Sequence, residues 1–114
     1  MNVESVLEEL VGWGEDDWIG LWLIVAHVSD ELGVEENAKQ LEVTVVLVKE
    51  LLKRGLQAGN SPVQNSGPRF LPWPDQDPEI IAAFIEQQWR RNDKFPSWGD
   101  APWFTAPRFC RVDA

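Results

Sequence analysis

His27 is the only histidine of the chain, with Asp30 three residues on and Glu31 four. On a helix that spacing places the three groups on neighbouring positions of one face, where a carboxylate can hold an imidazolium. The plain assignment is a partly buried histidine with an acidic partner; proton transfer or pH sensing is the sharper one. A lone histidine rules out a metal cluster assembled from several imidazoles. Cys110 is also single and sits among prolines with no histidine near it in sequence. An inert thiol is expected there rather than a nucleophile.

Two acidic runs, Glu15-Asp16-Asp17 and Glu35-Glu36, offer carboxylates in series. Calcium loops need oxygen donors at alternating positions around a glycine turn, and neither run has that spacing. Helix-end electrostatics and solvation account for both. Two carboxylates brought together by a fold can do glycoside chemistry, but nothing singles out a pair. Gly59-Asn60-Ser61-Pro62 lacks the Lys-Ser/Thr and following helix of a phosphate cradle. No metal or cofactor is expected, and no enzymatic activity.

The aromatic inventory is unusual: seven Trp and no Tyr in 114 residues. Trp73, Trp98, Trp103, Phe104 and Phe109 form either a small core under the C-terminal segment or an exposed patch. The second alternative matters because Trp is enriched at binding hot spots. A sugar-stacking platform is a weaker variant of it.

Charge is segregated along the chain. No Lys or Arg precedes Lys39, whereas ten carboxylates do, so the formal charge of −9 belongs almost wholly to the first third. A field of one sign repels phosphate backbones and speeds encounter with cationic surfaces. Nucleic acid is therefore an unfavoured partner and a basic protein a favoured one. One unpaired cysteine suits a reducing compartment. The N-terminus has no basic flank before an apolar stretch, so no signal peptide is expected. The run from Trp18 to Ala26 falls short of the roughly 20 residues of a membrane span. A cytoplasmic, non-membrane protein is expected.

These side chains need elements to position them. Val3, Val6, Leu7, Leu10 and Val11 repeat at helical spacing, predicting an N-terminal helix within residues 1–13 that Gly12 and Gly14 end. A second helix is predicted from Glu15-Asp16-Asp17 to about Leu32, apolar on every side and so the central core element, with helices one, three and four packed round it. Residues 37–54 mix the β-branched Val43–Val48 stretch with a helical Lys49–Arg54 end and are read as a third helix stopped by Gly55. Leu56–Gly59 and Arg69–Trp73 are predicted to pair as a hairpin with a long tip at residues 60–68. Asp77-Pro78-Glu79 opens a fourth helix over residues 77–92 with the stripe Ile80, Ile81, Phe84, Ile85 and Trp89. The segment 93–114 is Pro- and Trp-rich and irregular, forming either a short strand at Trp103-Phe104-Thr105 or an extended strip laid across the core. The expectation is one domain, residues 1–114, mainly α with a small β-hairpin (α+β) and about four helices.

Three helices followed by a hairpin is the order of a winged-helix domain, and residues 15–73 resemble one. Val48-Lys49-Glu50-Leu51-Leu52-Lys53-Arg54-Gly55-Leu56-Gln57-Ala58-Gly59 is similar to the exit from the third helix into a wing. The chain also resembles a group of short uncharacterised bacterial proteins through Arg54-Gly55-Leu56, Pro72-Trp73-Pro74, Trp89-Arg90 and Gly99-Asp100…Trp103-Phe104. That likeness implies the architecture only. Where winged helices bind DNA, Lys and Arg line the third helix and wing. Lys39, Lys49, Lys53, Arg54 and Arg69 lie there, diluted by Glu42 and Glu50.

The function expected is protein binding. An acidic surface of Glu15, Asp16, Asp17, Asp30, Glu31, Glu35 and Glu36 would engage a basic partner, with Trp98 and Trp103 as aromatic anchors. Its sharpest form is an immunity or inhibitor protein for a cationic toxin such as a nuclease, because carboxylates can stand in for phosphates. The alternatives are a degenerate winged-helix DNA-associated regulator and a homodimeric scaffold.

Overall fold

A computed structural model describes residues 3–16, 18–59, 73–92 and 102–106, the side chains of Asp16 and Asn92 excepted. The elements are α1 (Val3–Asp16), β1 (Ile19–Gly20), α2 (Leu21–Asp30), α3 (Asn37–Lys53), β2 (Gln57–Gly59), α4 (Pro78–Asn92) and β3 (Trp103–Thr105). Among the described residues, four helices and a three-stranded antiparallel sheet make the α+β class expected from sequence. No described helix is long and apolar enough to cross a membrane.

α1 follows its apolar stripe: Val6, Leu7 and Leu10 are buried. It does not stop at Gly12 but runs through Gly14 to Asp16. The acidic run Glu15-Asp16 therefore lies in the last turn of α1, at the negative end of its dipole, and does not open α2. That placement is electrostatically unfavourable by itself. It is accompanied by capping from the sheet: Thr105 Oγ1 and the Ala106 N–H both donate to the Gly14 carbonyl, at 3.2 and 2.8 Å.

The two glycines of α1 differ in their surroundings, and the difference fixes opposite signs for one substitution. A Cβ on Gly14 would sit 2.8 Å from Leu56 Cδ1, whereas one on Gly12 meets nothing within 4 Å. Gly→Ala in a helix contributes about 0.8–1 kcal/mol through propensity, and overpacking costs about 1–3 kcal/mol. Leu56 is 4% exposed and has little room to yield. Gly12→Ala is expected to raise the urea midpoint and Gly14→Ala to lower it.

The apolar run after α1 is not one helix. Its start pairs as β1, and α2 is only 10 residues long. α2 is also not the axis of the domain. α3, with 17 residues, packs against α1, α2 and α4. Its buried positions, Gln40, Leu41, Thr44, Val45, Leu47, Val48 and Leu51, wrap a wide arc, so a longer helix with a broad inward face takes the role expected of α2. It ends as predicted at Gly55, whose φ of 110° favours a residue without Cβ.

The sheet order is β1-β3-β2, with Ala58 opposite Phe104 and Ile19 opposite Phe104 on the two sides of β3. Among the described residues β2 pairs with β3, which follows α4. Of the predicted returning strand, residues 69–72 lie outside the described residues; the Trp73 N–H donates to the Ala58 carbonyl at 2.9 Å. α4 starts where the sequence placed it. Asp77 Oδ1 accepts from the Glu79 N–H at 2.9 Å, and Pro78 occupies the first helical position. Ile81, Ile85 and Trp89 are buried, and Trp89 Nε1 donates to Asn37 Oδ1 at the start of α3, 2.9 Å away. Ile80, expected on the same stripe, is 53% exposed, because it lies about 100° round the helix from Ile81.

Candidate functional site

α1 and the end of α2 bring three titratable side chains together. His27 is buried, with Nδ1 3.3 Å from Glu31 Oε1 and Nε2 4.0 Å from Glu9 Oε1. One donor atom from each of Glu9, His27 and Glu31 lies within 4.8 Å of the others. The Trp13 ring meets the imidazole edge-on, with centroids 4.9 Å apart and planes at 62°. Trp13 thus walls one side of the ring while Glu9 and Glu31 face its nitrogens. The Glu31 contact follows from i,i+4 spacing. Asp30, the other carboxylate weighed as a partner, is exposed, and no contact with His27 places it in this group. Glu9 was not legible as a partner, because its approach depends on how α1 packs beside α2.

The predicted acidic surface is partly described. Glu15, Asp30, Glu35 and Glu36 are exposed, and Glu31 is half-buried against His27. Asp17 and the side chain of Asp16 lie outside the described residues. Glu36 precedes α3 in extended conformation, and no side-chain hydrogen bond caps the helix there. The predicted anchors fare differently. Trp98 lies outside the described residues. Trp103 is 8% exposed, so its ring belongs to the interior and is corrected from contact residue to core. The reason is topological: β3 is flanked by strands on both edges, and the Trp103 ring passes 3.1 Å from where a Cβ on Gly20 would stand.

The cations at the end of α3 have carboxylate neighbours. Arg54 Nη2 is 2.7 Å from Glu4 Oε2 and 3.0 Å from Glu4 Oε1, Lys49 Nζ is 3.2 Å from Glu79, and Lys53 Nζ is 3.9 Å from Glu50. Exposed pairs of this kind contribute only about 0–1 kcal/mol each to stability. Their effect on the surface is larger: the positive charge at the end of the third helix is offset where it stands.

Apolar surface gathers elsewhere, in a groove of about 400 Å³ lined by Trp73, Pro74, Asp75, Ile80, Ile81 and Phe84. Trp73 and Phe84 pack edge-to-face at 5.1 Å and 71°. Sequence reasoning placed Ile80 and Phe84 in the core stripe and so missed this groove. The signal was present in the width of the stripe, which exceeds what one buried face needs.

Comparison of the chain with protein-family models, curated proteins and solved structures finds no match.

Proposed function

We propose that this chain is a protein-binding domain whose acidic N-terminal third docks on a basic partner. Its sharpest form is an immunity or inhibitor protein that covers the cationic nucleic-acid site of a toxin. The observation that carries the reading is the surface charge. Glu8, Glu15, Asp30, Glu35 and Glu36 are exposed, while Lys49, Lys53 and Arg54 stand beside carboxylates. Such a field steers a cationic surface inward and weakens with salt. The Trp73–Ile80–Phe84 groove supplies apolar area of the kind that anchors an interface, in the role first expected of Trp103.

A second reading, the winged-helix regulator, is supported by chain order: α3 leads through Arg54-Gly55-Leu56 into β2. In that case β2 and β3 would form a wing carrying α4 as an insertion. The charge arrangement on α3 argues against contact with phosphate.

The test combines affinity capture with charge reversal. The wild-type chain is expected to retain a basic protein from its host's lysate and release it with rising salt. A variant with Glu15, Asp30, Glu35 and Glu36 all changed to Lys, shown folded by circular dichroism, is expected to lose that protein. If the variant retains the same protein at physiological salt, the electrostatic reading fails. A mobility shift of bare duplex DNA by the wild type would favour the regulator.

A further inference from the structure

We propose that Glu9, His27 and Glu31 form a binding site for one divalent transition-metal ion of the zinc type. Three observations support it. His27 and Glu31, four residues apart on α2 and its cap, hold Nδ1 and Oε1 at 3.3 Å. Two ligands of a tetrahedral zinc with bonds of about 2.0–2.1 Å stand roughly 3.3–3.4 Å apart, so this pair is already at chelating separation. His27 is 7% exposed, and its Nδ1 is buried with no hydrogen-bond partner; the same holds for Glu31 Oε2. A buried polar atom without a partner costs about 1–3 kcal/mol, and a shared cation relieves both atoms at once. Glu9 supplies the third donor. Its carboxylate stands 4.0 Å from Nε2 with the side chain 33% exposed; because one ring nitrogen holds one ion, Glu9 must turn toward Nδ1 to complete the set, whose donors lie within 4.8 Å of one another.

The donor set selects the ion class. Imidazole with two carboxylates suits zinc and its first-row neighbours, whereas magnesium and calcium sites are built from oxygen donors alone. Two carboxylates on a strongly anionic segment also favour a dication. Trp13, packed edge-on at 4.9 Å, restricts rotation of the imidazole. Three protein ligands leave the fourth position of a tetrahedral ion to water or to a group from a partner.

Calorimetric titration of the chelator-stripped full chain with zinc chloride tests the site. One saturable equivalent is expected, with visible d–d bands of a tetrahedral or five-coordinate ion when cobalt(II) is used instead. His27→Gln, Glu31→Gln and Glu9→Gln are each expected to weaken zinc binding at least about tenfold, the low end of what even ligand-supporting groups contribute. Glu42→Gln, on the exposed face of α3, is the control and should leave the titration unchanged. If His27→Gln fails to fold, Glu9→Gln carries the test, since that side chain is partly exposed. Absence of a saturable event overturns the site. Several weak equivalents that survive Glu9→Gln and Glu31→Gln overturn it equally, because they report the acidic surface.

Discussion

Phe104→Ala is expected to destabilise the domain by about 3–5 kcal/mol, the usual range for removing a buried phenyl ring. Phe104 is fully buried and is the largest such side chain. It sits opposite Ile19 on one side and Ala58 on the other, so one residue joins both halves of the sheet. Its strand also packs against α1. The neighbours cannot collapse far into the space left, because they belong to strands whose register is set by backbone hydrogen bonds. A domain of this size has about 5–15 kcal/mol of stability to lose, and each kcal/mol corresponds to roughly 3–6 °C in melting temperature. The variant should therefore melt at least about 10 °C lower in a circular-dichroism scan, by the same scaling. Phe104→Leu keeps most of the volume and should cost less than about 1.5 kcal/mol. Ile80→Ala is the contrasting case. At 53% exposure it should change stability by less than about 1 kcal/mol, while trimming the groove assigned to partner contact. Similar losses from Phe104→Ala and Ile80→Ala would mean that the groove, and not the sheet, is the core.

The strand holding Phe104 was legible and its neighbours were not, for a physical reason. Trp103-Phe104-Thr105 announces a short strand by composition, since aromatic and β-branched residues fit a pleated, packed surface. Which strand it joins depends on contacts far apart in sequence. The nearest-partner rule pairs β2 with residues 69–73, of which only Trp73 is described, bonded to Ala58; the ladder to β3 across α4 gave no local signal. Local signals served best where local chemistry decides. Asp77-Pro78 set the start of α4 through a side-chain cap, and Gly55 set the end of α3 through its positive φ. They misled at Glu15-Asp16, which has the charge of a helix start but stands at a helix end. There α1 continues through two glycines, and β3 and the residue after it donate to the Gly14 carbonyl. The candidate site divides along the same line. His27 and Glu31 share a helix face and could be read directly; Glu9 is brought in by the packing of α1.

Gln76 shows how much a turn-like stretch can conceal, and its replacement should have the second large effect. Its side-chain amide does the work of a strand. Oε1 accepts from the Ala58 N–H at 2.7 Å, and Nε2 donates to the Ala58 and Trp73 carbonyls, each at 2.8 Å. In an antiparallel ladder the N–H and C=O of one residue point the same way. Those of Ala58 face away from β3, β2 being the outer strand of the described order β1-β3-β2, and Gln76 with the Trp73 N–H satisfies them. Ala58 is fully buried, so Gln76→Ala strands its N–H away from water. An unsatisfied buried donor costs about 1–3 kcal/mol. The Ala58 carbonyl keeps the Trp73 N–H, which confines the loss to about 2–3 kcal/mol by the same reckoning. Gln76→Glu separates the donor role from the acceptor role. A carboxylate still accepts from Ala58 but turns an oxygen toward two carbonyls, so it should destabilise at neutral pH. The protonated acid regains a donor, so the folded form holds that proton more tightly than the unfolded chain. Relative to wild type, its stability should then recover as pH falls below the folded-state transition and be lost as pH rises through it. Urea midpoints for Gln76→Ala and Gln76→Glu between neutral and mildly acidic pH read the effect, and a Glu variant equal to wild type at neutral pH would show that the amide nitrogen is dispensable.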